Sequence, residues 1–64
     1  MKIQKSLIFE YPNATVTRYY FSNGYEFDAY NSGRHYAHTP TNKFASPKMT
    51  QRMAKIVSKF NSSI

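Results

Sequence analysis

Residues 12–33 read PNATVTRYYFSNGYEFDAYNSG, and the turn signals in this stretch organise the whole chain. Three dipeptides carry these signals: Pro12-Asn13, Asn23-Gly24 and Ser32-Gly33. Asn-Gly is the strongest of the three, because a type I′ turn needs positive φ at both central positions and these residues tolerate it. The segments around the turns are rich in β-branched and aromatic residues, which is typical of strands. We therefore predict an antiparallel meander of four strands, over residues 3–11, 14–22, 25–31 and 34–39.

The chain after the meander carries the signals of one helix. Pro40 removes a ladder donor and so ends the last strand. Ser46-Pro47 has the pattern of an N-cap followed by proline at the first helical position. Apolar residues then recur at helical spacing over residues 47–61 (Met49, Met53, Ile56, Val57 and Phe60). The predicted fold is α+β: residues 1–64 form a single small two-layer ββββα domain, with the C-terminal helix covering one face of the sheet.

Two-residue loops at all three turns would fix the strand register and the core face. In that register Val16 lies opposite Phe9, and Arg18 lies opposite Ala29. The more apolar face, expected to lie under the helix, then contains Leu7, Phe9, Tyr11, Val16, Tyr20, Tyr25, Phe27, Ala29 and Tyr36. The outer face contains Ile8, Thr15, Thr17, Tyr19, Phe21, Glu26, Asp28, Tyr30 and His35. Arg18 does not fit the apolar face, and it needs an acceptor or a route past the strand edge.

The composition excludes several classes of protein. The chain has 64 residues and no cysteine, which rules out disulfides, thiolate zinc sites and cysteine nucleophiles. Without such covalent supports a reducing, cytoplasmic location is favoured. No apolar run approaches the ~18 residues of a membrane span, so we expect a soluble protein with no membrane partner. A domain of this size buries only about 60% of its unfolded surface, so its stability should be marginal.

The charges are strongly segregated along the chain. Nine Lys and Arg against three carboxylates give a net charge of +6, and all the carboxylates lie within residues 1–28. Lys48, Arg52, Lys55 and Lys59 recur at helical spacing and fall within an arc of roughly 60°. We call these four residues the cationic helix face. It could be an ordinary solvated face, but no acidic residue lies three or four positions from any of the four to balance them.

An unbalanced row of cations predicts a polyanionic or acidic partner. The favoured function is a small basic module that contacts the phosphates of DNA or RNA, with Arg34 and Lys43 extending the footprint. The alternative is a protein–protein interaction or inhibitor module, of the kind found among phage accessory factors. Such a module would dock on an acidic partner through the cationic helix face or through the outer sheet face.

Aromatic residues on the predicted outer face suggest that second possibility. Tyr19, Phe21 and Tyr30 would be exposed there and could form a protein interface or support a homodimer. Glu26 and Asp28 share the predicted face and would repel phosphate, so this face suits a protein better than a nucleic acid. Phe44, in the loop before the helix, is expected to plug the end of the core, although it could instead be an exposed anchor.

No constellation of catalytic or metal-binding residues is recognisable. His35 and His38 are three residues apart on a strand and should point to opposite faces, so they cannot share a metal ion. A phosphate-cradling loop is excluded because glycine occurs only at positions 24 and 33. One histidine near Arg34 and Tyr36 could cleave RNA by acid–base catalysis. The chain shares with small ribonuclease toxins only size, basicity and order of elements. We therefore expect no enzymatic activity, no cofactor and no small-molecule substrate.

Overall fold

The computed structural model describes residues 1–62 and shows a four-stranded antiparallel meander followed by one helix. The elements are β1 (Ile3–Tyr11), β2 (Ala14–Phe21), β3 (Glu26–Tyr30), β4 (His35–His38) and α1 (Pro47–Ser62). The strands are ordered β1-β2-β3-β4 in one sheet. The predicted α+β fold of the ββββα type is therefore confirmed.

Helix α1 begins where the sequence predicts. The Ser46 hydroxyl accepts a hydrogen bond from the Met49 amide at 3.2 Å, and the Ser46 carbonyl accepts one from the Thr50 amide at 2.9 Å. Ser46 is thus the N-cap and Pro47 is the first helical residue. Met53 lies on the apolar side of α1 and is completely buried. Among residues 1–62, α1 is the only helix, and it is neither long nor apolar enough to cross a membrane.

Only the first of the three hairpin loops has the predicted two residues. There Tyr11 lies opposite Ala14. The other two loops have three residues each, because the Phe21 amide bonds to the Tyr25 carbonyl at 2.9 Å and the Tyr30 amide bonds to the Arg34 carbonyl at 2.8 Å.

Each three-residue loop ends in a glycine. Gly24 has φ of 89° and Gly33 has φ of 97°. Positive φ at the last position is what a three-residue hairpin loop requires. The predicted two-residue loops at these two turns were therefore wrong.

The longer loops shift the strand register by one residue at both turns. Arg18 lies opposite Asp28 instead of Ala29. Phe27 lies opposite Ala37 instead of His38. Since side chains alternate between faces, a one-residue shift moves every side chain of a strand to the other face. The predicted core face was therefore wrong for β1, β2 and β4, and α1 covers the face of β2 that was expected to point outward. In β3 the prediction holds, because Phe27 and Ala29 lie on the α1 side.

The core lies between that face and α1. It consists of Tyr19, Phe21, Phe27, Ala37, Met53 and Val57. Phe21 is 2% exposed, and full burial of a side chain of this size stabilises a fold by about 1.5–3 kcal/mol. The hydroxyl of Tyr19 accepts a hydrogen bond from the Asn61 amide group at 3.1 Å, which ties the end of α1 to the sheet.

The other side of the sheet, which we call the open face, has no covering layer among residues 1–62. Its members include Lys5, Leu7, Phe9, Val16, Arg18, Tyr20, Glu26, Asp28, Tyr30, Tyr36 and His38. Val16 and Asp28 are each only 5% exposed, because the larger side chains around them cover the centre of this face.

The two edges of the sheet are treated differently. At the β4 edge the Thr39 amide bonds to the Lys43 carbonyl at 2.7 Å, and the Ala45 amide bonds to the Ala37 carbonyl at 2.9 Å. Residues 43–45 therefore seal that edge. Strand β1 forms the other edge, and no strand among residues 1–62 pairs with its outer side.

Candidate functional site

The cationic helix face stands exposed along α1. Lys48, Arg52, Lys55 and Lys59 are all exposed, and none of them forms an ion pair with any residue of 1–62. Both ion pairs found among residues 1–62 involve Arg18, on the other side of the sheet. The four side chains therefore present their full charge to solvent.

Two shallow grooves run beside these cations. Lys48, Arg52 and Lys55 line the first, together with Ser46, Met49 and Gln51. Lys59 lines the second, where α1 meets the start of the chain at Met1, Lys2 and Ile3. Lys2 therefore extends the positive surface beyond Lys59. Sequence reasoning missed this residue, because its position depends on where α1 crosses β1, which no local pattern reveals.

The structure separates the two further cations of the predicted footprint. Phe44 bridges to His38 on the open face, so by strand alternation its neighbour Lys43 lies on the α1 side of the sheet. Arg34 continues the β3–β4 register opposite Tyr30, so it lies on the open face, next to the β3–β4 turn. Lys43 is thus on the same side of the sheet as the cationic helix face, and Arg34 is not.

Both carboxylates of β3 form ion pairs with one cation, Arg18, on the open face. Asp28 accepts two hydrogen bonds from the Arg18 guanidinium, at 2.8 Å from Nε and 3.1 Å from Nη2. Glu26 lies 3.6 Å from the same Nε. The hydrogen bond to Asp28 raises the pKa of Arg18 further above its already high value, so this charge is permanent. Only Glu10, near the β1–β2 turn, keeps an exposed carboxylate with no ion pair among residues 1–62.

The predicted aromatic interface is largely inside the protein. Tyr19 and Phe21 are 6% and 2% exposed, because the register shift turned them under α1. They cannot offer an exposed docking surface, and that expectation was wrong. Tyr30 does lie on the open face, half-buried, with its ring edge-on to Tyr36 at 5.7 Å between centroids.

Phe44 does not plug the core as expected. Its side chain is 73% exposed, and its ring stacks on His38 with centroids 5.1 Å apart. The neighbouring backbone is fixed by the hydrogen bonds that seal the β4 edge. Phe44 is therefore a firmly held aromatic group at the rim of the open face.

The two histidines lie on opposite faces of the sheet. His35 stacks on Phe27 on the α1 side, with centroids 5.4 Å apart, and His38 contacts Phe44 on the open face. Within residues 1–62 no three His, Cys, Asp or Glu side chains come together as a metal site would require. Each histidine is engaged in aromatic packing.

The comparisons with known proteins identify no relative: no family model, no curated protein and no solved structure matches this chain. The surface chemistry of the chain is thus the basis for assigning a function.

Proposed function

We propose that this chain is a small, non-enzymatic, cytoplasmic module that binds the phosphates of DNA or RNA through the cationic helix face. One observation carries the proposal: four exposed cations without ion-pair partners among residues 1–62 lie along one side of α1, while Glu26 and Asp28 pair with Arg18 on the far side of the sheet. Negative charge close to the helix would have cancelled the field that attracts a polyanion. The fold keeps these carboxylates away from it.

The dimensions of the cationic helix face fit a nucleic-acid backbone. Lys48 and Lys59 are separated by about 16 Å along the helix axis, at 1.5 Å per residue. Each strand of a duplex carries one phosphate about every 3.4 Å of the duplex axis, so roughly five phosphates of one strand fall within this length when α1 lies along that axis. Lys2 at one end and Lys43 before the helix lengthen the footprint. Like charges at these spacings destabilise a helix by a few tenths of a kcal/mol per pair, so bound phosphates would also reduce the repulsion between the cations of α1.

The salt dependence of binding is the first test. Fluorescence anisotropy with labelled duplex and single-stranded oligonucleotides of mixed sequence should show binding at low salt. Neutralising four phosphates gives a slope of log K against log salt near −3.6 for a duplex and about −2.8 for a single strand. Between 50 and 200 mM salt the affinity should therefore fall roughly a hundredfold or roughly fiftyfold, respectively.

Charge reversal tests whether the helix face is the site. The double variant Arg52→Glu with Lys55→Glu should abolish binding, while circular dichroism shows that the exposed substitutions leave the fold intact. The matched comparison is Lys55→Glu against Lys5→Glu, since each changes the net charge by two units. Lys5 lies on the open face above the ring of Tyr20, so its reversal should change affinity much less. Binding that survives the double reversal, or equal effects of the two single variants, would reject the proposed site.

The second candidate function is docking on an acidic protein, as an interaction or inhibitor module. The firmly held, exposed ring of Phe44 favours it, because rigid aromatic groups are common anchors of protein interfaces. In that case nucleic acids would not bind even at low salt, and the chain would form a defined complex with one protein. Phe44→Ala should then weaken that complex by about 2 kcal/mol or more, as expected of an interface hot spot.

A further inference from the structure

The outer edge of β1 carries backbone groups that pair with no strand among residues 1–62, and the hairpin geometry identifies them. The Asn31 amide bonds to the Thr15 carbonyl, so the polar groups of Thr15 point toward β3. Backbone groups alternate along a strand, and those of Val16 therefore point toward its partner Phe9 in β1. It follows that Phe9 uses its backbone groups inside the sheet. The alternate residues of β1 (Ser6, Ile8 and Glu10) direct theirs outward.

The regular part of this edge has a definite centre. The β1–β2 register shifts between Ile3 and Lys5, and the turn begins after Tyr11, so the regular segment is residues 5–11. Its middle residue is Ile8, one of the three that point outward. Ile8 is 67% exposed, and its neighbour Leu7 is 45% exposed. A long edge with exposed apolar side chains and no proline or covering loop is a template for another strand.

We propose that two copies of this chain pair through β1, antiparallel and with Ile8 opposite Ile8 of the second copy, to form a continuous eight-stranded sheet. This pairing uses all seven residues of the regular segment, 5–11, in both copies. Centring the pairing on Leu7 would draw in the irregular position Gln4. Centring it on Phe9 would align only residues 7–11.

The side chains brought together in this register are compatible. Leu7 meets Phe9 of the second copy on the open face, and such aromatic–aliphatic pairs stabilise antiparallel strands. Lys5 meets Tyr11, a cation beside an aromatic ring, and Ser6 meets Glu10. No two like charges lie directly opposite each other, and direct opposition of like charges would be destabilising.

The position of α1 leaves room for the second copy. The helix meets the start of β1, where Ile3, Ile56 and Lys59 line the same groove. The residues of the regular segment that lie on the helix side (Ser6, Ile8 and Glu10) are all exposed. The two-fold axis of this pairing is perpendicular to the sheet, so both helices lie on the same side. The dimer would thus present two cationic helix faces in one direction, but its existence does not depend on the proposed function.

A single cysteine at the centre of the edge tests the register, because the natural chain has no thiol. In a hydrogen-bonded antiparallel pair the opposite Cα atoms lie about 5.5 Å apart, within the range of about 4.4–6.8 Å that a disulfide spans. Ile8→Cys should therefore form a disulfide-linked dimer under mild oxidation. Ser6→Cys is the matched control, since two copies of residue 6 would be four positions, or about 13 Å, apart along the strands. Ser6→Cys mixed with Glu10→Cys should cross-link as a heterodimer.

Sedimentation velocity in the absence of nucleic acid supplies the second measurement. The natural chain should show a concentration-dependent monomer–dimer equilibrium. Ile8→Lys places two ammonium groups opposite each other and should raise the apparent dissociation constant by about tenfold or more, equivalent to about 1.4 kcal/mol. Phe44→Lys, an equal change at an exposed aromatic group away from β1, should leave it unchanged. A chain that stays monomeric throughout, or Ile8→Cys cross-linking no faster than Ser6→Cys, would overturn the proposal.

Discussion

Replacing Arg18 with methionine should destabilise the fold far more than its half-exposed position suggests. Methionine keeps an apolar stem against Phe9, whose ring lies 5.6 Å from the guanidinium. The substitution does remove the positive charge that pairs with Asp28. The Asp28 carboxylate accepts hydrogen bonds from the guanidinium at 2.8 Å and 3.1 Å and is almost completely buried. Removing one partner of a buried pair leaves an uncompensated charge, at a cost of about 3–5 kcal/mol. Since the Arg18 side chain is 35% exposed, solvent reaches the pair and we expect the lower end, about 3 kcal/mol.

Urea unfolding followed by far-ultraviolet circular dichroism measures this loss. A domain of this size has about 3–10 kcal/mol of stability, so Arg18→Met should be partly unfolded or melt more than ~10 °C lower. Glu26→Gln is the control, because Glu26 is one-third exposed and 3.6 Å from the guanidinium, and it should cost less than about 1 kcal/mol. Adding Asp28→Leu to Arg18→Met should restore part of the stability, since no buried charge is then left unpaired. Equal, small losses for Arg18→Met and Glu26→Gln would refute this account of the pair.

Five further substitutions test the packing, the turns and the cap. Phe21→Ala should cost about 3–5 kcal/mol in urea unfolding, whereas Phe44→Ala, at a position 73% exposed, should cost less than about 1 kcal/mol. Gly24→Ala should lower stability by about 1–2 kcal/mol because of its positive φ. It should also cost more than Gly33→Ala, since only at position 24 would the added Cβ lie 3.1 Å from a proline ring. Ser46→Ala removes the N-cap of α1 and should cost about 1 kcal/mol, with a matching loss of helical circular dichroism.

The order of the elements was predictable because its signals are local. Asn-Gly and Ser-Gly mark turns, and Ser46-Pro47 marks a helix start, whatever the rest of the chain does. The strand register at the two later turns was not predictable, because a glycine with positive φ suits both a two-residue loop and the end of a three-residue loop. The position of Arg18 indicated the correct register. The assumed register placed it in the core without an acceptor, whereas a shift of one residue pairs it with Asp28.

The candidate site was likewise predictable only where its residues are set by local sequence spacing. Helical spacing alone was enough to place Lys48, Arg52, Lys55 and Lys59 on one face. The position of Lys2 beside Lys59 depends on a contact between the two ends of the chain, and no spacing rule reports such a contact. The burial of Tyr19 follows from the loop lengths, so the error in the loops became an error in the expected interface.

The division of the core between the sheet and α1 has a consequence for how this protein folds. The helix is the last element among residues 1–62, and Met53 and Val57 supply the apolar surface that seals the sheet. Before α1 docks, the ring of Phe21 is left uncovered. A two-layer domain cannot close its core with one layer missing, so the sheet and α1 should fold together, and intermediates with α1 undocked would be prone to aggregate.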